Sequence, residues 1–540
     1  WVFPPNRGLH SDGKKIIDGK ECQERPIGGL DVASLYPSLM MCYDFSTDRS
    51  VNTRERAEEL AAMGYSLHHI QPFPYHRGDK NKDAPGNIHL IGEGWMVRHN
   101  GIFSNKDTNI VDHYEKYVTV GGKKYPAAEA PPGPRRVSYE PVRGRKALPN
   151  ESMGIFPYIV KKLFDKRVPV KAEFIRLTKL KEEMHRLHLD TIPDNKLVNG
   201  APSGKIHTEA TIEHELNQVE STQKGLKLLA NTFYGKSGDF RSDIYNLLVA
   251  AGVTTAGQMT IKAVAKFVIG LGYTVQYGDT DSLYLSAPDS EFAEVDAAYR
   301  SEIAEVDEKF RGVNKVLHVD KTVMTPQEIQ YKEARVAARL KWWDAQVRIT
   351  MKSLDRLKEM VSDFLLEFNG TNFINMMYEE IMCPSELCGK KKYFGIGHIE
   401  NTNFYPKELF VRGIEVVKQG KTAIGKQLGY EFMFEAVSVE NERGPMEIAE
   451  DKIRKFYETK MDPGLFAQTA RYRPEKQNVP VKRFYQRMKD EQARIAATGD
   501  AEFAALHEAP GPGDKFTYVA VVKEDRFTIQ GNRIENKKGD

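Results

Sequence analysis

The 540-residue sequence is poor in cysteine, has no long uninterrupted hydrophobic run and carries almost no net charge. Its four cysteines, Cys22, Cys42, Cys383 and Cys388, are too few and too scattered for a disulfide framework. Cys383 and Cys388 lack the close spacing of a structural zinc site, so free thiols in a reducing compartment are expected. No apolar stretch approaches the ~20 residues that cross a bilayer. Mean hydropathy is −0.52, so no membrane span is expected. Glycine (42) and proline (27) stand near background, which excludes collagen-like and low-complexity chains. Lys and Arg total 78 against 75 Asp and Glu, and the resulting +3 names no partner by itself.

The length is that of about three or four domains, or of one large enzyme built from subdomains. The sequence opens at Trp1 with neither an initiator Met nor a signal-peptide pattern, and it closes on the charged run ENKKGD. It therefore reads as an internal piece of a longer protein.

Charge is segregated along the chain. Ile155 to Lys181 holds eight basic residues against two acidic ones, and Arg471 to Lys489 holds seven against one. Between them, Glu291 to Lys309 carries seven acids and two bases. Either basic stretch alone would read as a solvated helix face. Two of them, far apart in a nearly neutral protein, point to a polyanion.

Punctuation and periodicity outline an α+β layout without internal repeats. The Pro-rich segment Pro126 to Asn150 reads as a loop, and His507 to Asp514 separates a helical stretch from strand-like KFTYVAVV. Helical periodicity covers about Phe156 to Leu187, Thr222 to Tyr234 and Gln327 to Phe368. Gly29 to Leu35, Tyr273 to Leu285 and Lys391 to His398 read as strands.

Chemistry concentrates at two acidic strand ends. GGLDVASLYPSLM sets Asp31 after an apolar lead-in and before a turn expected at Tyr36-Pro37. TVQYGDTDSLYLS predicts a β-hairpin whose tip presents Asp279 and Asp281, with Gly278 supplying the turn. Residues two apart on a strand share a face, so these acids can converge. Two carboxylates ~4 Å apart repel by about 4 kcal/mol at an effective dielectric near 20, so the cluster needs protonation or a dication. Oxygen donors without His or Cys favour Mg²⁺ or Mn²⁺ over zinc. Acids at hairpin tips are common and Asp-x-Asp alone is weak, but the six-residue run YGDTDS is far more specific.

Two helices carry matching cations. In STQKGLKLLANTFYGKSG, Leu226, Leu229, Ala230 and Phe233 form the expected core stripe, with Gln223, Lys227, Asn231 and Tyr234 on an adjacent face. Lys and Asn suit phosphates, and Tyr suits a sugar or base. GIFPYIVKKLFDKRVPVK adds Arg167 and Lys171, four apart, with Pro169 between them predicting a kink or restart.

Taken in order, DVASLYPSLM, KLLANTFYGKSG and YGDTDSLYL resemble the three polymerase motifs of family B (alpha-like) DNA polymerases. GKKKYFGIGH resembles the family's basic-aromatic signature at the palm–thumb junction. GIFPYIVKKLFDKR looks like the opening of its fingers, and NVPVKRFYQRM with PGDKFTYVAV looks like its thumb. The resemblance spans nearly the whole chain, from VFPPNRGL onward. It implies a right-hand polymerase fold, with an antiparallel-sheet palm, helical fingers and a mixed, mainly helical thumb. The implied domains are palm at 1–150, with an insertion within 51–150; fingers at 151–245; palm with the KKKY junction at 246–420; and thumb at 421–540.

Residue by residue, the resemblance implies that Asp31 and Asp281 bind two catalytic Mg²⁺ ions, with Mn²⁺ as a substitute and the Val32 carbonyl as a further ligand. Asp279 is implied as an electrostatic helper. Ser34 and Leu35 offer backbone N–H groups to the triphosphate, and Tyr36 underlies the deoxyribose and excludes a 2′-hydroxyl. Arg167, Lys171, Lys227 and Asn231 contact the triphosphate, with Lys227 the proton donor to pyrophosphate. Tyr234 and Gly235 lie beside the nascent base pair. Lys391, Lys392 and Tyr393, with Lys482 and Arg483 of the thumb, hold the primer–template duplex. The implied activity is template-directed DNA synthesis from dNTPs, with a processivity factor as a further partner.

Some features depart from the family pattern. Thr232 stands where the family usually has Ser, and the interval Val51 to Asn150 is long. Protein-primed members carry an insertion there, although the KKKY and thumb runs look more like the nucleic-acid-primed branch. The pairing of MMYEEIMCPSELCGKKKYFGIGH with VRGIEVVKQGKTAIGKQ is similar to polymerases of large DNA viruses of eukaryotes. That implies an intracellular place of action, in the nucleus or at a cytoplasmic viral replication site. Two other classes compete. A two-metal nuclease or phosphohydrolase would gather the acids but has no need of the Lys-Asn-Tyr helix. An inactive DNA-binding relative would not need to keep every acid and base of the reaction.

Overall fold

The computed structural model describes residues 2–5, 25–63, 65–70, 93–98, 153–198, 201–314, 323–458, 461–471, 479–497 and 511–519, with further short strands within 8–23, 75–89, 102–141 and 527–536. The chain divides into two compact units. The first comprises Trp1–Asn6, Ile27–Phe292 and Arg348–Ile381; the second comprises Arg7–Pro26, Ala293–Val347 and Met382–Asp540.

In the first unit, β1 (Val2–Phe3), β2 (Ile27–Val32), β3 (Thr274–Asp279) and β4 (Ser282–Ser286) form an antiparallel sheet in the order β1-β3-β4-β2. Its helices are α1 (Leu35–Tyr43), α2 (Ile155–Arg186), α3 (Glu209–Ser237) and α4 (Leu247–Gly270). The helix α5 (Pro326–Asn369) and the strand β5 (Met376–Gly389) each run through both units. Helix α4 is long and apolar enough to cross a membrane, which corrects the expectation that nothing in the chain is. More than half of its most apolar stretch is buried, with Val249, Val253, Val264 and Val268 at 0% exposure, as a core helix requires. The rings of Phe267 and Phe364 stack it on α5 at 4.5 Å.

Helices α2 and α3 form an antiparallel pair. Phe156 meets Phe233 edge-to-face at one end, while Leu180 and Met184 pack with Ile212 and Ile192 at the other. Pro169 does not break α2 as the sequence led us to expect. The ring is exposed and so is Asp165, so water can serve the carbonyl that loses its partner and the helix continues through the proline. Leu229 is not a core residue either. It is 56% exposed and Leu228 67%, and the stripe that α3 buries is narrower, centred on Ala230.

The N-terminus of α2 is clasped by a loop 110 residues away in sequence. The Asp44 carboxylate accepts from the Gly154 N–H at 2.8 Å, Ser46 Oγ from Phe156 N–H at 3.1 Å and Asp48 from Ile155 N–H at 3.1 Å. Acceptors at a helix start satisfy orphan donors and complement the helix dipole. Burial nevertheless pushes Asp44 up to about 7, despite the Gly154 bond and Arg49 beside it.

Within the expected loop Pro126 to Asn150, Arg135–Pro141 is instead a strand paired with Tyr114–Val120, Tyr117 opposite Ser138. Val137 and Tyr139 suit a strand, and no proline falls inside it before its last residue. Pro126 ends a further strand, Lys123–Pro126, on the other side of Tyr114–Val120, and apart from Pro131 the rest of that segment lies outside the described residues.

The second unit contains β6 (Lys392–His398), paired with β7 (Phe410–Arg412) over a core of Phe394, Ile396, Val411, Met433 and Val437. The acidic stretch at 291–309 serves folding there, mainly through the helix Ala293–Lys309. Asp296 is buried against Arg25 at 2.7 Å and accepts from Trp342 Nε1, while Asp307 pairs with Arg335.

Candidate active site

Strand β2 ends at Val32, whose N–H donates to the Asp281 carbonyl at 2.9 Å, and Asp31 lies opposite Ser282 of β4. The end of β2 and the β3–β4 turn are therefore fastened together, with Asp31 and Asp281 on adjoining backbone. The hairpin forms as expected, but Gly278 does not make its turn. Thr280, with φ 58°, and Asp281 do. Gly278 sits within β3, where a Cβ would stand 2.8 Å from both Leu283 and Phe3, so close packing requires the glycine. Asp281 is thus in the turn rather than two along a strand from Asp279. Asp279 accepts from Tyr277 Oη at 3.0 Å and from Thr280 Oγ1 at 2.8 Å. Those bonds suit a supporting role.

Electrostatics mark the spot. Burial pushes Asp31 from 3.8 up to about 7, with Asp281 and Glu379 adding to the rise and Lys227 opposing it. Asp281 is raised by burial too, with Asp279 and Glu379 adding and Lys227 again opposing. The Lys227 head on α3 therefore lies in the field of both acids. Glu379, on β5, is a functional candidate that the sequence reading missed. Its signal was a pair of adjacent acids, Glu379-Glu380, between the apolar runs at the start of a strand. Among the described residues no group of three or more His, Cys, Asp or Glu stands ready to hold a metal ion by itself.

The sequence turn expected at Tyr36-Pro37 is displaced. Ser34, in the left-handed region at φ 60°, makes the break, and Tyr36 and Pro37 lie in the first turn of α1, where proline costs no hydrogen bond. No side chain caps this helix at Ser34, so its first N–H groups have no capping partner there. Tyr36 and Tyr234 meet with ring centroids 4.4 Å apart, joining α1 to α3. Burial raises Tyr36, with Asp281 and Asp279 adding, so the ring stands near both acids. Burial and Tyr36 push Tyr234 up to about 12. A recess of about 120 Å³ opens beside Tyr36, lined by Leu35, Thr254, Gly257, Gln258 and Thr280.

The other predicted residues join this place unequally. Asn231 is exposed one turn beyond Lys227 on α3. Arg167 is half-buried and donates to Gln223 Oε1 at 3.1 Å, which ties α2 to the polar stripe of α3. Lys171 is exposed one turn further along the uninterrupted α2, without a bond into the stripe. Gly235 is exposed and a Cβ there would meet nothing within 4 Å, so nothing in the structure demands a glycine.

In the second unit, Lys391 and Lys392 are exposed at the β5–β6 turn, Lys391 at φ 59°. Tyr393 is only 8% exposed and stacks on Phe410, which makes its ring a packing residue. Arg483 is exposed on the helix Val479–Ala496, and the Lys482 side chain lies outside the described residues.

Comparison with known proteins points one way. Residues 205–322 match the family model described as DNA polymerase family B. The chain is 32% identical over 550 residues to "DNA polymerase beta" of African swine fever virus (isolate Pretoriuskop), a match covering 99% of this chain and 36% of the relative. It is 30% identical over 139 residues to DNA polymerase 037L of Invertebrate iridescent virus 6, covering 26% of this chain and 10% of that one. A 122-residue match of 30% to the DNA polymerase alpha catalytic subunit of Dictyostelium discoideum covers 22% of the chain and 8% of the subunit. The chain spans about a third of the length of the viral relatives that match it from end to end.

Proposed function

Because the chain belongs to DNA polymerase family B, we propose that it is the catalytic region of a template-directed DNA polymerase, which adds deoxynucleoside monophosphates from dNTPs to a primer 3′-hydroxyl and releases pyrophosphate. The observation that carries this reading is the meeting of Asp31, Asp281, Lys227 and the Tyr36–Tyr234 pair at one place in the first unit. The antiparallel sheet there is the palm, α2 and α3 are the fingers, and the thumb lies within the second unit. In sequence the palm takes 1–150 and 246–420, the fingers 151–245 and the thumb 421–540.

The donor set fits a hard dication. Asp31 and Asp281 are half-buried carboxylates whose charges oppose each other, and the Val32 carbonyl adds a third oxygen close by in sequence. Mg²⁺ is commonly held by one or two carboxylates plus substrate phosphates and water, so two carboxylates and a carbonyl are a sufficient protein share. The chemistry supplied by bound Mg²⁺, or by Mn²⁺ in its place, is activation of the primer hydroxyl and charge neutralisation on the triphosphate. The chain's own groups do the rest. Lys227 sets positive charge where the leaving pyrophosphate becomes most negative and stands ready to donate a proton to it. Asn231, Arg167 and the first N–H groups of α1 at Ser34 and Leu35 orient the triphosphate. Lys171 reaches it only from further along α2. The duplex is held by Lys391, Lys392 and Arg483, and a processivity factor and an intracellular site of viral replication complete the proposal.

The Tyr36 ring, fixed by Tyr234, is the sugar gate. Tyr36→Ala is expected to raise ribonucleotide incorporation relative to deoxyribonucleotide at least about tenfold, the scale of one well-packed contact of 1–3 kcal/mol. Competition between each rNTP and its dNTP measures it, and unchanged discrimination would remove Tyr36 from that role.

Asp31 also predicts a pH signature. Its folded pKa of about 7 lies above the ordinary 3.8, so the folded chain binds this proton more tightly than the unfolded one. Its contribution to stability is present below about 4 and is lost as pH rises through about 7. A dication that binds the ionised carboxylates offsets that loss. The gain in Tm on adding Mg²⁺ should therefore be larger at pH 8 than at pH 5, and Asp31→Asn should shrink the difference. Equal gains at both pH values would contradict it.

A further inference from the structure

Tyr36 is held more firmly on one flank than on the other. Its ring lies against Tyr234, and among the described residues its hydroxyl makes no hydrogen bond. The ring edge toward α4 borders the recess of about 120 Å³. The hydroxyls in the wall of that recess are engaged within their own elements. Thr254 Oγ1 donates to the Ala251 carbonyl at 2.9 Å, and Thr280 Oγ1 donates to Asp279 at 2.8 Å.

Gly257, in the middle of α4, keeps the recess open. A Cβ there would lie 4.0 Å from Tyr36 Cε1 and 3.5 Å from Leu35 Cδ2, both ordinary contact distances. Its nearest neighbour would be Leu39 Cδ1 at 3.2 Å, the end of a side chain that a small shift relieves. Gly252, five residues earlier in α4, is different. A Cβ at that position would stand 2.5 Å from Phe45 and 2.8 Å from Ile70, so packing demands the glycine. A glycine inside a helix costs stability relative to alanine. At 257 packing alone does not require that cost, and the one functional side chain that a methyl would touch is Tyr36.

We propose that Gly257 is a specificity-determining position that acts through Tyr36: it leaves the ring room to yield toward α4 and so sets how strictly the sugar of the incoming nucleotide is read. The inference rests on the reading of Tyr36 as the sugar gate. A 2′-hydroxyl is rejected by contact with the ring, and a ring that can yield rejects it less. Alanine at 257 would stand behind the ring edge at contact distance and stop that movement. The gate as built is therefore looser than its backbone allows.

The test is competition between each rNTP and its dNTP in primer extension by the full chain, with Gly257→Ala, Tyr36→Ala and the double variant. Gly257→Ala should lower ribonucleotide incorporation relative to deoxyribonucleotide by about tenfold, the lower end of what one methylene-sized difference discriminates. The loss should fall on kcat/KM for the rNTP, with kcat/KM for the dNTP within about twofold. In the Tyr36→Ala background the same methyl should change nothing. A merely structural role would shift Tm and slow both nucleotides alike. Gly257→Ala combined with Leu39→Val, which shortens the nearest neighbour, should recover any lost Tm and keep the tightened selectivity. Unchanged or loosened discrimination in both Gly257→Ala proteins overturns the inference, and so does equal tightening without the Tyr36 ring. If Tyr36→Ala relaxes discrimination while Gly257→Ala does not tighten it, the sugar gate stands and this inference alone falls. Unchanged discrimination in Tyr36→Ala, or a chain that never extends a primer, removes the reading beneath it and overturns both.

Discussion

Asp31→Asn is expected to slow primer extension by about a thousandfold or more while leaving the chain folded and slightly more stable. Asparagine keeps the volume and an acceptor oxygen but removes the charge that a dication needs. Losing several kcal/mol of transition-state stabilisation corresponds to about three or more powers of ten in rate. Stability should move the other way. The Asp31 carboxylate is ionised against its burial and against Asp281 and Glu379, so a neutral side chain relieves strain at neutral pH and above. Asp281→Asn should behave alike, since its pKa is raised by burial and by Asp279 and Glu379. Single-turnover extension and thermal melting on the same preparations check both halves. Near-normal extension by either variant would remove that acid from the chemistry.

Lys227→Ala should lower the rate of incorporation by about a hundredfold to a thousandfold, the scale of removing one preorganised group from a developing charge. Duplex affinity should fall far less. The same change withdraws a cation from both acids, whose pKa values Lys227 now holds down. The pH midpoint of extension should therefore move upward, which a lost DNA contact would not cause. Lys227→Arg should restore the midpoint more fully than the rate. Equal losses in rate and duplex binding, with an unmoved midpoint, would reduce Lys227 to a DNA contact.

Local patterns were the most legible part of the chain. Alternation and turn chemistry located the β3–β4 hairpin, and helical periodicity located α2, α3 and α5, although α3 starts earlier than the pattern suggested. What failed was the reading of single residues whose role depends on distant neighbours. Gly278 looked like a turn glycine but is required by Leu283 and Phe3. Pro169 looked like a break but lies exposed inside an unbroken α2. Leu229 fits a core stripe by spacing alone, yet α3 buries only a narrow face. Glu379 had a local signal in its pairing with Glu380, but its place near Asp31 and Asp281 comes from a strand more than 90 residues beyond Asp281. The Asp44–Ser46–Asp48 clasp on α2 has no local signature, because its acceptors and donors are about 110 residues apart.

Buried acids, an adjacent cation and an aromatic pair could also serve a phosphohydrolase, so the decisive measurement is the fate of the primer. A 5′-labelled primer on a longer template, incubated with the chain, Mg²⁺ and all four dNTPs, should lengthen to the template end. It should stay unchanged without dNTPs or with chelator. A primer that is shortened, or that a folded chain leaves untouched when dNTPs and Mg²⁺ are both present, would contradict the account.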